Sequence, residues 1–135
     1  MPVRVNGVSA HEDFRAAVEA GDHAGMVATL AADARLHSPV AFRPFEGREQ
    51  IGALFEILLR TFEDFRYTDE LGGGEVAALV FRCHIGDKQV EGLDLIRTGP
   101  DGLIDDFTVM VRPLSAAIAL AEAVGPQLAT AGVAK

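Results

Sequence analysis

The sequence predicts an α+β fold in which a curved, mixed but mostly antiparallel sheet wraps around helices and encloses a hollow. Apolar residues recur at helical spacing as far as Phe62, and from Phe65 onward the hydrophobic period becomes two. Gly86-Asp87 between two apolar runs is a two-residue hairpin signal. The predicted order is α-α-β-α-β-β-β-β, followed by a short C-terminal helix.

Three helices and one strand are predicted in the first half of the chain. Ser9 and Glu12 have the spacing of a capping box, so the first helix begins at Ser9. Gly21-Asp22 then forms a tight corner, because Gly ends a helix in the left-handed conformation and Asp caps the next one. The remaining segments are a strand, a loop and a third helix, over residues 34–38, 40–46 and 48–62.

Four strands are predicted in the second half, over residues 65–71, 75–85, 88–97 and 103–112. In the first of these strands, strict alternation assigns Tyr67 and Glu70 to opposite faces. Pro113 then opens a helix over residues 114–124, which Gly125-Pro126 is expected to close.

Several of the late strands are apolar on both faces. An antiparallel sheet with one face in water would carry polar residues at every second position. We therefore expect one face to cover the helices or a hollow and the other to meet a second subunit, which predicts a homodimer. Coverage by the chain's own C-terminal helix is the alternative.

Composition indicates one domain over residues 1–135 and disfavours two kinds of partner. The net charge is −8, the pI is near 4.8, and the 12 Lys and Arg form no cluster, which argues against nucleic acid and anionic membranes. The single cysteine, Cys83, excludes an internal disulfide and fits a reducing compartment. The first residues lack an apolar signal region, and residues 114–124 fall short of a membrane span, so we expect a soluble cytoplasmic protein.

Asp94 is the strongest candidate for chemistry. It lies in the middle of a strand between Leu93 and Leu95, where a carboxylate is costly to bury unless it is paired or protonated. In an apolar hollow its pKa would rise, so it would accept or donate a proton near neutral pH. A cross-strand ion pair with Arg82 or Arg97 is the alternative.

Ser38 and His37 are the further catalytic candidates, and as strand neighbours they face opposite sides unless Pro39 distorts the strand end. Ser38 would hydrogen-bond a ligand, and His37 would act as a base or face solvent. The scattered histidines give no metal signature, and no cofactor is expected. Pocket-lining residues, which are alternatively plain core, are expected to be Phe14, Phe55, Phe107, Val109 and Val111.

The order of elements resembles the nuclear transport factor 2-like superfamily, and within it the SnoaL-like and ketosteroid isomerase-like proteins. The resemblance extends roughly over residues 10–112. It is carried by residues 14–22, residues 30–34, Ser38-Pro39 with Pro44 and Gly47 downstream, and Gly92-Leu93-Asp94. It implies a cystatin-like cone of sheet around helices, with a ligand cavity.

The resemblance also implies roles for individual positions. The second Asp of ketosteroid isomerases, which hydrogen-bonds the developing oxyanion, falls on Asp94, whereas Phe14 stands where those enzymes carry a Tyr and Ser38 where they carry the general base. Two functions remain open. One is a cofactor-free isomerase, cyclase, dehydratase or hydrolase acting on an apolar metabolite, and the other is a non-catalytic ligand-binding or dimeric interaction domain.

Overall fold

A computed structural model describes residues 9–133. Its helices are α1 (Ala10–Ala20), α2 (His23–Ala28), α3 (Arg48–Thr61) and α4 (Leu114–Ala131). Its strands are β1 (Leu30–His37), β2 (Phe45–Glu46), β3 (Glu63–Gly73), β4 (Val76–Ile85), β5 (Lys88–Thr98) and β6 (Ile104–Arg112).

All six strands form one sheet in the order β2-β1-β6-β5-β4-β3. Every neighbouring pair is antiparallel except β1 and β6, which run parallel and place Leu36 beside Phe107. The inward side chains of the sheet and the apolar faces of the helices share the main hydrophobic core. The predicted α+β class, with a mixed and mostly antiparallel sheet against helices, is confirmed.

The first helices begin and end where their capping residues predict. Ser9 and Glu12 form the reciprocal capping box of α1, and Gly21 ends this helix with φ at 66°. The Asp22 side chain accepts a hydrogen bond of 3.0 Å from the amide of Gly25 at the start of α2. Helix α1 therefore packs against α2, and it also contacts β5.

Strand β1 begins at Leu30 rather than at residue 34, and two further segments differ in kind from the sequence prediction. The predicted loop contains β2, in which Phe45 pairs with Leu36 and is 1% exposed, so burial of this ring draws the segment onto the sheet edge. Helix α4 continues past Pro126, because Val124 and Leu128 are both buried one turn apart on the same helix face.

Helix α4 is long and apolar enough to cross a membrane by length and composition. It is nevertheless a packed helix of the domain, since it contacts α3, β4, β5 and β6. Its buried residues are Ala116, Leu120, Val124 and Leu128. The absence of a membrane partner stays a prediction.

A bulge in β3 changes which of its side chains face the helices. Tyr67 pairs with Phe81, but Asp69 pairs with Val80, so one extra residue is inserted between the two pairs. As a result Glu70, opposite the inward-facing Leu79, lies on the same concave face as Tyr67. The expectation that Tyr67 and Glu70 take opposite faces is therefore wrong.

Gly92 leaves room for the ring of Phe81 on the neighbouring strand. A Cβ atom at position 92 would overlap the Cζ and Cε2 atoms of that ring, which is 1% exposed. Gly92 lies on the inward face of β5 together with Val90 and Asp94. Glycine is thus required at this position for close packing rather than for a turn.

We expect Gly92→Ala to lower the free energy of unfolding by about 1–3 kcal/mol, because the added methyl group overpacks the core. The matched control is Gly125→Ala in α4, where a Cβ meets nothing within 4 Å and stability should hold or rise slightly. Urea denaturation of both variants checks this. Equal midpoints for Gly92→Ala and wild type would contradict it.

Candidate functional site

A cavity of about 450 Å³ lies between the helices and the concave face of the sheet. Six of the chain's eight Phe contribute to its wall, so the interior is predominantly apolar. The lining residues are Phe14, Val18, Glu19, Ala20, Gly21, Met26, Phe55, Leu58, Leu59, Phe62, Phe65, Tyr67, Phe81, Asp94, Phe107 and Val109. Such a space suits an apolar molecule held by a few polar groups.

Asp94 projects into this cavity from β5 and is 6% exposed. Its Oδ2 atom accepts a hydrogen bond of 3.1 Å from the hydroxyl of Tyr67. Burial raises the pKa of Asp94 to about 7, and the hydrogen bond from Tyr67 opposes that rise. Near neutral pH the carboxyl group is therefore populated in both its acid and its base form.

The ion-pair alternative for Asp94 does not hold. Arg82 pairs with Glu91 at 3.1 Å, and Arg97, an odd number of residues from Asp94 along β5, points to the outer face. The partner that the structure gives Asp94 is the phenol of Tyr67.

Tyr67 completes the site and was missed by sequence reasoning. Burial is the main cause that raises its pKa, and the nearby Asp94 carboxyl adds to the rise, so the phenol stays protonated as a hydrogen-bond donor. The sequence held one signal for it, since the chain's single Tyr stands at an inward position of a strand. Its alignment with Asp94, two strands away, depends on a register that the pattern does not give.

Aromatic rings shape the cavity in two groups. Phe14, Phe55 and Phe107 have mutual centroid distances of 5.0–5.7 Å. Phe65 and Phe81 stack at 4.8 Å with their planes 25° apart. These distances are typical of favourable aromatic contacts, which stabilise the packing of the wall.

The predicted lining residues are mostly in place. Phe14, Phe55, Phe107 and Val109 line the cavity. Val111 does not, because it lies further along β6 and packs against the buried side chains of Phe81 and its neighbours.

The structure does not bring Ser38 into the cavity of Asp94. The Ser38 hydroxyl accepts hydrogen bonds from the amides of Val40 and Ala41, at 3.4 and 3.2 Å, because the chain turns after Pro39. It borders a separate apolar crevice of about 40 Å³ beside α4.

His37 also lies apart from Asp94. Its Nε2 atom is 3.1 Å from Oδ2 of Asp106, and the two side chains are 36% and 34% exposed. Because Asp106 alternates with the inward Phe107, this pair is on the outer face of the sheet. The geometry therefore supports Asp94, and not Ser38 or His37, as the centre of the site.

Within residues 9–133, no group of three or more His, Cys, Asp or Glu side chains could hold a metal ion. Cys83 is buried, and burial raises the pKa of its thiol to about 12. Asp94 and Tyr67 give the cavity wall a carboxyl group and a phenol in contact, which suit proton transfer and hydrogen bonding.

The fold and cavity define a nuclear transport factor 2-like protein of the ketosteroid isomerase-like kind. Residues 11–107 match the family model of the SnoaL-like domain, and the chain belongs to this family. The superfamily resemblance predicted from the sequence is confirmed. Among curated proteins, none matches the chain.

Three solved structures illustrate the similarity. A steroid delta-isomerase from Pseudomonas aeruginosa is 33% identical, with 99% of each chain covered and a TM-score of 0.87. A protein with a cystatin-like fold from Silicibacter pomeroyi is 32% identical, with 90% of this chain and 86% of that chain covered and a TM-score of 0.86. An NTF2-like protein of unknown function from Mesorhizobium loti shares the fold at 19% identity, with 77% and 88% covered and a TM-score of 0.68.

The pKa of Asp94 has a consequence for stability. Because folding raises this pKa from 3.8 to about 7, the carboxyl's contribution is fully present below about pH 4 and is lost as the pH rises through about 7. Asp94→Asn has no such group. We expect wild type to lose up to about 4 kcal/mol relative to this variant between about pH 4 and 9.

Urea denaturation across this pH range measures the difference. Asp87→Asn, in the exposed hairpin turn, is the matched control and should track wild type at every pH. Parallel stability curves for wild type and Asp94→Asn would show that Asp94 titrates as an ordinary carboxyl group.

Proposed function

We propose that this protein binds an uncharged, mainly apolar molecule and moves a proton within it, as in an isomerase-type reaction. The observation that carries the proposal is the buried carboxyl of Asp94, hydrogen-bonded to Tyr67 inside a cavity lined by phenylalanines. The 33% identity to a protein named steroid delta-isomerase, over nearly the whole of both chains, supports the same class of reaction.

The two groups have complementary chemistry. In its ionised form Asp94 removes a proton from carbon next to a carbonyl group, and the resulting acid returns that proton to another carbon of the same molecule. The negative charge that develops on the carbonyl oxygen is stabilised by Tyr67, whose single hydroxyl hydrogen turns from Asp94 to that oxygen as Asp94 takes up the proton. The proton has then moved from one carbon to another, the double bond has shifted by one position, and Asp94 and Tyr67 have returned to their starting protonation states.

The wall favours a neutral ligand that carries a carbonyl group or a ring. An anionic group would lose its hydration in the apolar interior, and it would meet Glu19 at the cavity wall in a protein of net charge −8. The proposed location is the cytoplasm, which suits an acidic chain with one buried cysteine.

A non-catalytic ligand-binding protein is the second candidate. It is favoured by the residues at two positions where the family resemblance implies reactive groups, because Phe14 has no hydroxyl and Ser38 lies outside the cavity. In that case Asp94 and Tyr67 would orient a ligand without transferring a proton.

A second copy of the chain is proposed to cover the outer face of the sheet. Helix α4 does not cover this face, because its Ala116 clusters with the inward side chains Phe81 and Cys83. The outer face instead presents Leu93 and its cross-strand neighbour Met110, which is 54% exposed. An exposed apolar surface on an acidic protein is the kind of face that subunits bury.

The charged groups beside this apolar surface suit a symmetric interface. Glu91 bridges Arg82 at 3.1 Å and Arg112 at 2.9 Å, so both signs of charge occur within one patch. In a two-fold arrangement, the arginines of one copy can meet the carboxylate of the other.

The catalytic proposal is tested with uncharged β,γ-unsaturated cyclic ketones, which an isomerase would convert to the conjugated α,β-unsaturated ketones. Ultraviolet absorbance follows the shift of the double bond, and NMR in D₂O follows exchange at the carbon next to the carbonyl. We expect turnover to fall by about 10²–10⁴-fold in Asp94→Asn, because the proton acceptor is lost, and by a smaller factor in Tyr67→Phe.

The control for these variants is Asp87→Asn, which removes an exposed carboxyl group and should retain full turnover. Binding of these ketones without exchange, unchanged in Asp94→Asn, would favour the non-catalytic candidate.

The dimer proposal is tested by the mass in solution. We expect wild type to sediment at twice its chain mass of 14.3 kDa, and Met110→Glu to sediment as a monomer because the new charge would be buried at the interface. Phe42→Glu, at a ring that is fully exposed in the loop after β1, is the control and should remain dimeric. A monomeric wild type at high concentration would refute the proposal.

A further inference from the structure

We propose that Arg15 is the positioning residue of this site, and that it holds the ring of Tyr67 so that the phenol stays directed at Asp94. The inference rests on the proposed role of the Tyr67–Asp94 pair. The Arg15 guanidinium carbon lies 5.4 Å from the centroid of the Tyr67 ring, which is the geometry of a cation–π contact.

Two carboxylates fix the Arg15 side chain in this place. Its Nε atom donates to Oε2 of Glu19 over 3.1 Å, and its Nη1 atom donates to Oε1 of Glu70 over 2.9 Å. The planar guanidinium can reach both acceptors while presenting its face to a ring, which a lysine ammonium cannot do. Arg15 is 31% exposed, so it sits above Tyr67 without entering the cavity wall.

The bulge in β3 makes this arrangement possible. Without the extra residue, Tyr67 and Glu70 would lie on opposite faces of the strand, and Glu70 could not reach Arg15 over the concave side. The other carboxylate oxygen of Glu70 is 3.4 Å from Nε2 of His11, which is 4% exposed. Glu70 is thus held from two sides and serves as a fixed anchor.

The aromatic contacts of the Tyr67 ring come from the sheet. Phe65 meets it edge-on at 5.0 Å, and Phe81 lies at 6.5 Å with its plane nearly perpendicular. Both phenylalanines belong to the strand pair β3–β4, whereas Arg15 approaches the ring from α1.

The charge of Arg15 also supports a role for this residue at Tyr67. The positive charge of Arg15 lowers the pKa of Tyr67 against the rise caused by burial, and Glu19 acts in the opposite direction. The charged and titratable groups around the pair are Arg15 and Glu19 on α1, Glu70 on β3 and Cys83 on β4. Arg15 thus supplies the positive charge that keeps the phenol a good donor.

The test measures the titration of Asp94 in the whole protein and needs no substrate. Carbon-13 NMR of the Asp side-chain carboxyl groups reports the midpoint directly. Because the Tyr67 hydrogen bond holds the pKa of Asp94 down, Tyr67→Phe should raise the midpoint by about 0.5–1 pH unit. We expect Arg15→Met to raise it by at least half as much.

The double variant Arg15→Met/Tyr67→Phe separates an indirect effect from a direct one. If Arg15 acts through Tyr67, the double variant should titrate like Tyr67→Phe, because the hydrogen bond is already absent. Additive shifts would overturn the proposal, since Arg15 would then act on Asp94 directly. Arg60→Met, which removes an arginine on α3 that bonds Gln127, is the control and should leave the midpoint unchanged.

Glu70→Met, which removes both the charge and the acceptor of Arg15, is a second variant, and the direction of its effect tests the proposal. Loss of a negative charge by itself would lower the pKa of Asp94, whereas loss of the anchor of Arg15 should raise it. A lowered or unchanged midpoint in Glu70→Met would overturn the positioning role, even if Arg15→Met failed to fold.

Failure of this inference is distinguishable from failure of the proposed function. If Asp94 of wild type titrates in the ordinary range of aspartate, the proposed function fails. If it titrates near pH 7 and does not respond to Arg15→Met, the positioning role alone fails.

Discussion

The hydrogen bond between Tyr67 and Asp94 is the interaction on which the site depends. Burying a carboxyl group in an apolar wall costs free energy unless the group is protonated or hydrogen-bonded. Asp94 has a raised pKa and also accepts a hydrogen bond from Tyr67. The bond requires that β3 and β5 flank β4 in a fixed register, and that the far end of the Phe81 ring packs against Gly92 beside the acid. The packing of the sheet and the chemistry of the cavity are therefore set by the same contacts.

The cavity illustrates how one fold can serve proteins with different activities. The helices and the sheet supply an apolar volume, and the few polar groups on its wall decide what can be done inside it. In this chain the wall carries a carboxyl and a phenol within hydrogen-bonding distance. A protein with the same scaffold and other groups at these positions would bind or transform other molecules.

Much of the fold could be predicted from the sequence, because its signals are local. The capping box at Ser9, the Gly21-Asp22 corner and the Gly86-Asp87 turn each depend on residues a few positions apart. Asp94 could be predicted for the same reason, since a carboxylate within an apolar strand stands out. The helix beyond Pro126 and the short strand at Phe45 could not, because tertiary burial overrides the local preference there.

The rest of the site could not be predicted because it depends on register. One inserted residue in β3 decides which side chains join Tyr67 on the concave face, and no alternation pattern reveals it. Ser38 and His37 failed as partners of Asp94 for a related reason. The Ser38 hydroxyl accepts hydrogen bonds from the backbone amides of the turn after Pro39, and His37 lies on the outer face of the sheet.

The parallel pairing of β1 and β6 has a consequence for how the chain acquires its structure. Leu36 and Phe107 are neighbours in the sheet although about half of the polypeptide lies between them. This contact therefore carries a large loop-closure entropy, and the topology has a high contact order. The ring of Phe107, which contacts both Phe14 and Phe55, is supplied by β6, so this side of the cavity is complete only when β6 has joined the sheet.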